Sequence, residues 1–167
     1  LTADTTYLIR VAPNVASAIA GDITTSVNVF NTWDGSESDD WSDAQNWSLE
    51  TVPTTTSLVQ ILGTVPNEPV IKNGTNAVAS FIALVDGISL TIDYGGTLTV
   101  AGSEDQSILL DNALSTLFVN GTLNLSNSED EGLDVEDGIL NVGVTGQVTI
   151  TNTDVGIDLE EANTSII

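Results

Sequence analysis

The sequence contains no cysteine and no histidine, and basic residues are almost absent. Without cysteine, neither a disulfide framework nor a thiolate metal site is possible. Without histidine, the chain lacks the commonest general base and the usual zinc ligand. Arg10 and Lys72 are the only bases against 24 acidic residues, which gives a net charge of −22. Such a surface repels nucleic acid and anionic lipid, which excludes both as partners, and it attracts cations.

Methionine is also absent, even at position 1, and no run of about 18 apolar residues occurs. We therefore expect a processed or excised piece of a translation product, with no membrane insertion. Hydrophobic residues make up 41% of the 167 residues, enough for one folded domain rather than a disordered polyanion. Abundant Thr, Asn, Ser and Gly with a single lysine is typical of extracellular surfaces, and we expect an extracellular or cell-surface location.

An internal repeat occupies residues 88–167. Gly96, Gly121 and Gly146 lie 25 residues apart. Each repeat holds three apolar pairs whose members are separated by one residue: Leu90/Ile92, Leu98/Val100, Ile108/Leu110, Leu117/Val119, Leu123/Leu125, Leu133/Val135, Leu140/Val142, Val148/Ile150 and Ile157/Leu159. A period of two indicates strands with one buried face. Three short strands in about 25 residues predict the coils of a parallel β-solenoid.

Residues 1–31 do not share the repeat. Tyr7, Ile9 and Val11 occupy alternate positions, which predicts a strand. This segment is interpreted either as a cap over the exposed edge of the first coil or as an arm that adds a strand to a neighbouring subunit. At the other end, Ile166 and Ile167 belong to a predicted opening strand of another coil. These five residues are the predicted assembly contacts.

Residues 32–71 contain all three tryptophans of the chain, Trp33, Trp41 and Trp47. Two interpretations are open. The tryptophans could form a small core that closes the end of the solenoid, since indole is a large apolar body with one N–H to satisfy. They could instead form a platform on which sugar rings stack, which would make the chain a glycan-binding module.

The same segment carries a resemblance. Its motifs resemble a pattern that precedes β-helix repeats in secreted surface proteins, particularly of the Bacteroidota: Trp33-Asp34-Gly35, Trp41, Asn46-Trp47, Pro53, Val59-x-Ile61 and Pro69-Val70-Ile71. The coils at Gly96–Val100 and Gly121–Leu125 also resemble those of autotransporter-like adhesins. The resemblance covers residues 32–167 and implies a right-handed parallel β-helix that is secreted to the cell surface. Proteins of this kind are mostly adhesins or cell-surface fibres.

The predicted fold is therefore all-β: a right-handed parallel β-helix of about four to five coils with an N-terminal β-rich cap or arm. Three segments follow from the patterns described above. They are the N-terminal arm or cap at 1–31, the Trp-rich segment at 32–71 that leads into and caps the first coil, and the β-helix coils at 72–167.

Acidic residues recur with the coils. Since stacked coils are about 4.8 Å apart, equivalent acids should form vertical ladders: Asp105, Asp130 and Asp154; Asp111, Glu136 and Glu160; and the pair Asp134 and Asp158. Like charges at this spacing repel each other. Either the ladders are a solvated, salt-screened edge, or calcium bridges them, because hard oxygen ligands from adjacent coils suit its loose coordination. Calcium is the only cofactor that the sequence suggests.

The sequence predicts no enzyme. A polysaccharide lyase needs a base and usually cations, and this chain has no histidine and only two bases. A hydrolase needs paired carboxylates, which should break the repeat rather than follow it. We expect a non-catalytic structural or adhesive surface protein, a subunit of a fibre or a module of a long adhesin. Its expected partners are further copies stacked end to end, or a continuation of the same chain, and possible surface glycans.

Overall fold

The computed structural model describes residues 28–112, 114–160 and 165–166. Its strands are β1 (Phe30–Trp33), β2 (Leu58–Leu62), β3 (Val70–Ile71), β4 (Asn76–Ala79), β5 (Phe81–Val85), β6 (Ser89–Ile92), β7 (Thr97–Ala101), β8 (Ile108–Leu110), β9 (Thr116–Val119), β10 (Thr122–Ser126), β11 (Glu131–Val135), β12 (Ile139–Val142), β13 (Gln147–Thr151), β14 (Val155–Leu159) and β15 (Ser165–Ile166). A single turn of 3-10 helix, Ala44–Asn46, lies between β1 and β2. The predicted contacts Tyr7, Ile9, Val11 and Ile167 lie outside the described residues.

The strands form three parallel sheets. Sheet 1 has the order β1-β2-β5-β8-β11-β14, sheet 2 the order β3-β6-β9-β12-β15, and sheet 3 the order β4-β7-β10-β13. From β2 onward, each coil adds one strand to each sheet, so that every third strand in the chain becomes a neighbour. The prediction of an all-β parallel solenoid is confirmed, with about five coils. Two strands within 32–71, β2 and β3, already belong to the stacked sheets.

Equivalent apolar residues lie directly above one another. In sheet 3, Leu98 pairs with Leu123 and Leu123 pairs with Val148. The pairs with looser sequence spacing stack as well, since Leu117 lies between Leu90 and Leu140 in sheet 2. A slip of one residue would turn every core side chain toward solvent, so the alternating pattern fixes this register.

The core is a continuous column inside the three sheets. Leu98, Val100 and Leu123 have 0% exposure, whereas the residues that alternate with them along β7 and β10 face outward. Burying a leucine or valine side chain stabilises a fold by roughly 1.5–3 kcal/mol. Because each coil contributes several such side chains, stacking on its neighbours is what holds a coil in place.

The repeated glycines mark the corner between sheets 2 and 3. A Cβ atom on Gly121 would collide with the carbonyl oxygens of Asp93 and Gly96 in the coil before it. The Thr122 N–H donates to the Gly96 carbonyl (3.0 Å), and the Gln147 N–H donates to the Gly121 carbonyl (2.8 Å). Glycine therefore recurs at this corner because adjacent backbones approach too closely for any side chain.

Candidate functional site

The three tryptophans form one buried cluster at the start of the solenoid. Trp33, Trp41 and Trp47 are 0–1% exposed. The ring centroids of Trp33 and Trp47 are 5.0 Å apart at 80°, and those of Trp41 and Trp47 are 4.7 Å apart at 75°. Edge-to-face pairs of this kind are the arrangement that the ring quadrupoles prefer. No ring face is open to a sugar, which contradicts the sugar-stacking platform and agrees with the small core.

Polar contacts fix the cluster. Trp33 Nε1 donates to the Asn67 carbonyl (2.8 Å), and Trp47 Nε1 donates to the Trp41 carbonyl (2.9 Å). The buried Asn46 side chain accepts the N–H groups of Glu37 and Ser38 at 2.9 and 3.0 Å. Trp41 Nε1 is buried and has no hydrogen-bond partner in the described part of the chain.

The segment that carries the tryptophans covers two sheet edges. On sheet 1, Trp33 of β1 forms an antiparallel bridge with Trp47, and the Ser48 N–H donates to the carbonyl of Thr32 in β1 (2.9 Å). On sheet 2, the Val70 N–H donates to the Asp39 carbonyl (2.7 Å). Open sheet edges are sites of unwanted pairing. Residues 34–48 therefore close this end of the solenoid; we call it the closed end.

One ion pair joins the closed end to the coils. Lys72 Nζ lies 2.7 Å from the Asp39 carboxylate and 3.7 Å from the Asp40 carboxylate. The contact with Asp39 raises the pKa of Lys72. Hydrogen bonds from Ser42, with a smaller contribution from Lys72, lower the pKa of Asp40. The groups are partly exposed, so the pair contributes little stability, about 0–1 kcal/mol.

The structure brings the members of the predicted ladders together along the solenoid. Asp134 and Asp158 are directly opposite each other on β11 and β14. The Asp154 N–H donates to the Asp130 carbonyl (3.0 Å). Asp111, Glu136 and Glu160 occupy equivalent positions, because each donates its N–H to a carbonyl one coil earlier, of Leu84, Leu110 and Val135 respectively.

Asp134 is the most perturbed of these carboxyls. Burial and the neighbouring charges of Glu136, Glu160, Glu131 and Asp158 raise its pKa from 3.8 to about 6. Its Oδ1 atom is buried and accepts no hydrogen bond within the described ranges. The negative charge of Asp134 is therefore held in an unfavourable place at neutral pH.

A second group of acids lies at the corner between sheets 3 and 1. Carboxylate oxygens of Asp105, Asp130 and Glu131 lie within 4.8 Å of one another. Burial raises the pKa of Glu131, assisted by the charge of Asp130. Glu131 is not a member of the predicted ladders, and Asp154 is not part of this group. Because Asp105 and Asp130 are exposed, the arrangement suits hydrated carboxylates as well as calcium, and the calcium site stays a prediction.

The far end of the described coils is less covered than the middle; we call it the open end. Val148, Ile150 and Ile157 pack against the core but are only partly buried, whereas their counterparts one coil earlier, Leu123, Leu125 and Leu133, are 0–1% exposed. β13 and β14 are edge strands among the described elements. The predicted contact Ile166 lies on β15, which pairs with β12 at Leu140.

The fold defines a parallel β-solenoid closed at one end by a tryptophan cluster. A protein-family profile described as a domain of unknown function (DUF8693) matches residues 32–113, just under half of the chain. The matched range begins in β1 and includes the tryptophan cluster and the coils up to β8. No curated protein and no solved structure gives a match. None of the described residues forms a helix long and apolar enough to cross a membrane.

Proposed function

We propose that this chain is a non-catalytic structural or adhesive protein of the extracellular surface, used as a subunit of a fibre or a module of a long adhesin built by end-to-end stacking of β-solenoid. The observation that carries the proposal is the difference between the two ends. Residues 34–48 cover the edges of sheets 1 and 2 at the closed end, while Val148, Ile150 and Ile157 are partly exposed at the open end.

The open end supports stacking for a simple reason. An additional coil there would bury these three side chains and pair the backbone groups of β13 and β14 that no described strand pairs, as each earlier coil does for its neighbour. Because residues 34–48 already cover two sheet edges at the closed end, the open end would meet another part of the next copy. A contact between two unlike surfaces does not close on itself, so it generates filaments. The N-terminal arm, with Tyr7, Ile9 and Val11, is the proposed element that one subunit adds to the next.

The non-catalytic part of the proposal is supported by the chemistry available. The chain has no histidine, and Lys72 is engaged with Asp39 and Asp40. The carboxylates of Asp105, Asp130 and Glu131, which lie within 4.8 Å of one another, are on a corner where Asp105 and Asp130 are exposed. The extracellular location is supported by composition and by the resemblance of residues 32–167 to secreted surface proteins.

Electron microscopy of the intact mature protein, isolated from its source without denaturation, tests the assembly. We expect filaments whose subunits repeat along the solenoid axis. In the purified protein, Ile150→Ser should weaken end-to-end association, whereas Thr149→Ser, on the outward face of the same strand, should not. Monomers under all conditions would refute the fibre version. Resistance of the protein to protease added to whole cells would contradict the surface location.

A further inference from the structure

A groove on the outer side of sheet 1 shares only Asp105 with the sites described above. It has a volume of about 650 Å³. Asn28, Phe30, Leu58, Ser80, Phe81, Gly102, Ser103, Glu104 and Asp105 line it. The tryptophan cluster faces the core, whereas this groove faces solvent. Concave sites with apolar surface and a few convergent polar groups are the usual form of ligand sites.

The floor of the groove is apolar. Phe30, Leu58 and Phe81 occupy one row across β1, β2 and β5. The rings of Phe30 and Phe81 are 6.3 Å apart at 69°, and Phe30 is 36% exposed. An aromatic side chain on the outside of a solenoid that carries a net charge of −22 is costly to leave in water, and it offers a ring to the C–H face of a ligand.

The wall of the groove is a turn held in place by hydrogen bonds. Gly102 has φ of +84°, its N–H donates to Ser126, and its carbonyl accepts from Ser80 Oγ (3.4 Å). The Asp105 N–H donates to Ser103 Oγ (3.3 Å). This ordering reduces the entropy that a ligand must remove on binding.

The chemistry of the wall defines what can bind. Glu104 and Asp105 are exposed carboxylates that only accept hydrogen bonds, and Ser103 adds a hydroxyl group. None of the described residues that line the groove is basic and two are acidic, so an anionic ligand would be repelled. The best complement therefore has an apolar face, several hydroxyl donors and positive charge. We propose that this groove binds a saccharide segment that carries amino groups.

This site is separate from the open end, because Phe30 and Phe81 lie on β1 and β5 of sheet 1, toward the closed end. It also differs from the sugar-stacking platform predicted from the tryptophans. The expected order of affinity is an amine-bearing sugar first, a neutral sugar second, and no binding of an acidic sugar. Raised salt should weaken the first of these interactions, since exposed charges are screened.

Calorimetric titration of the full chain with trimers of glucosamine, glucose and galacturonic acid tests the proposal. We expect Glu104→Gln to weaken binding of the glucosamine trimer by about tenfold, because a charge-assisted hydrogen bond is lost, and Phe30→Ser to weaken both binding trimers by a similar factor. Two control variants should leave binding unchanged: Phe118→Ser, equally exposed at 36% on sheet 2, and Asp93→Asn, an exposed acid at another corner.

Four outcomes would overturn the proposal. One is that neither the glucosamine nor the glucose trimer binds, and another is that the galacturonic acid trimer binds as well as they do. A third is an equal loss of binding in the Phe118→Ser or Asp93→Asn variant, which would place the ligand elsewhere. The fourth is equal affinity for trilysine, which would make the groove a site for any cation. Melting curves of the variants distinguish lost binding from lost folding, and microscopy reports on assembly separately.

Discussion

Replacing Asp134 by asparagine should stabilise the protein at neutral pH. Asp134 lies opposite Asp158 on sheet 1, its Oδ1 is buried, and Glu131, Glu136 and Glu160 surround it. Asparagine keeps nearly the same shape and removes the charge. Most substitutions of partly buried residues destabilise a protein, so a gain in stability here would be a specific signature of charge repulsion.

The magnitude follows from the pKa of Asp134. Burial and neighbouring acids raise it from 3.8 to about 6, so the folded protein holds this proton more tightly than the unfolded chain does. The wild-type protein is therefore destabilised by this group as the pH rises from about 4 to about 6, and the penalty is complete above that range. A shift of about 2 units corresponds to at most about 3 kcal/mol, which solvent screening of a partly exposed group reduces to about 1 kcal/mol.

Denaturant unfolding followed by circular dichroism at pH 7.5 and pH 4 measures this effect. At pH 7.5 the Asp134→Asn variant should be about 1 kcal/mol more stable than the wild type, which corresponds to a rise in melting temperature of about 2–4 °C. At pH 4 the difference should nearly vanish. Asp93→Asn makes the same change of net charge at an exposed turn on another corner and is the matched control. Equal gains in both variants, or a gain at Asp134 that does not depend on pH, would refute the reasoning.

Three further predictions concern the closed end, the glycine corner and the acidic ladders. Trp41→Ala should cost about 3–5 kcal/mol of unfolding free energy, because it empties a fully buried site. Tryptophan fluorescence of the wild type should be blue-shifted and resistant to quenchers, and emission typical of exposed tryptophan would contradict the buried cluster. Gly121→Ala should lower the melting temperature strongly, whereas Gly156→Ala, where a Cβ meets no atom within 4 Å, should be tolerated; equal effects would refute the close approach of the coils. Sodium chloride should raise the melting temperature by screening the charges of the ladders. Calcium should raise the melting temperature at a far lower concentration if Asp105, Asp130 and Glu131 bind it. A melting curve that neither calcium nor a chelator changes would refute the calcium site.

The stacking of the coils could be predicted because it depends on a periodic pattern. Leu98, Leu123 and Val148 recur at one spacing, and a buried row of side chains in register is the direct structural form of that repeat. Tryptophan burial could only be stated as one of two alternatives, since a sequence shows that aromatic residues are close along the chain but not which way their rings face. The structure decides this, because all three tryptophan side chains are 0–1% exposed.

The side-chain contacts that the sequence patterns did not predict are not visible in the spacing of the repeat. Phe30 precedes the repeat, and it meets Phe81 only because β1 pairs with β2 and β2 with β5. Glu131 is the first residue of β11 and meets Asp105 and Asp130, which lie in the turns before β8 and β11, where side-chain direction is not set by the alternation of a strand. Positional equivalence predicts backbone neighbours well, and it predicts side-chain clusters at corners poorly.

The position of the closed end also suits an order of folding that runs from the N-terminal to the C-terminal side of the solenoid. The tryptophans, their hydrogen bonds and the covered sheet edges all lie toward the N-terminal side of the stack, which leaves the ribosome before the later coils. Each later coil can then pack on a coil that is already folded, so folding can propagate along the solenoid axis one coil at a time as the chain is synthesised. The closed end would therefore act as the folding template for the coils that follow it in the chain.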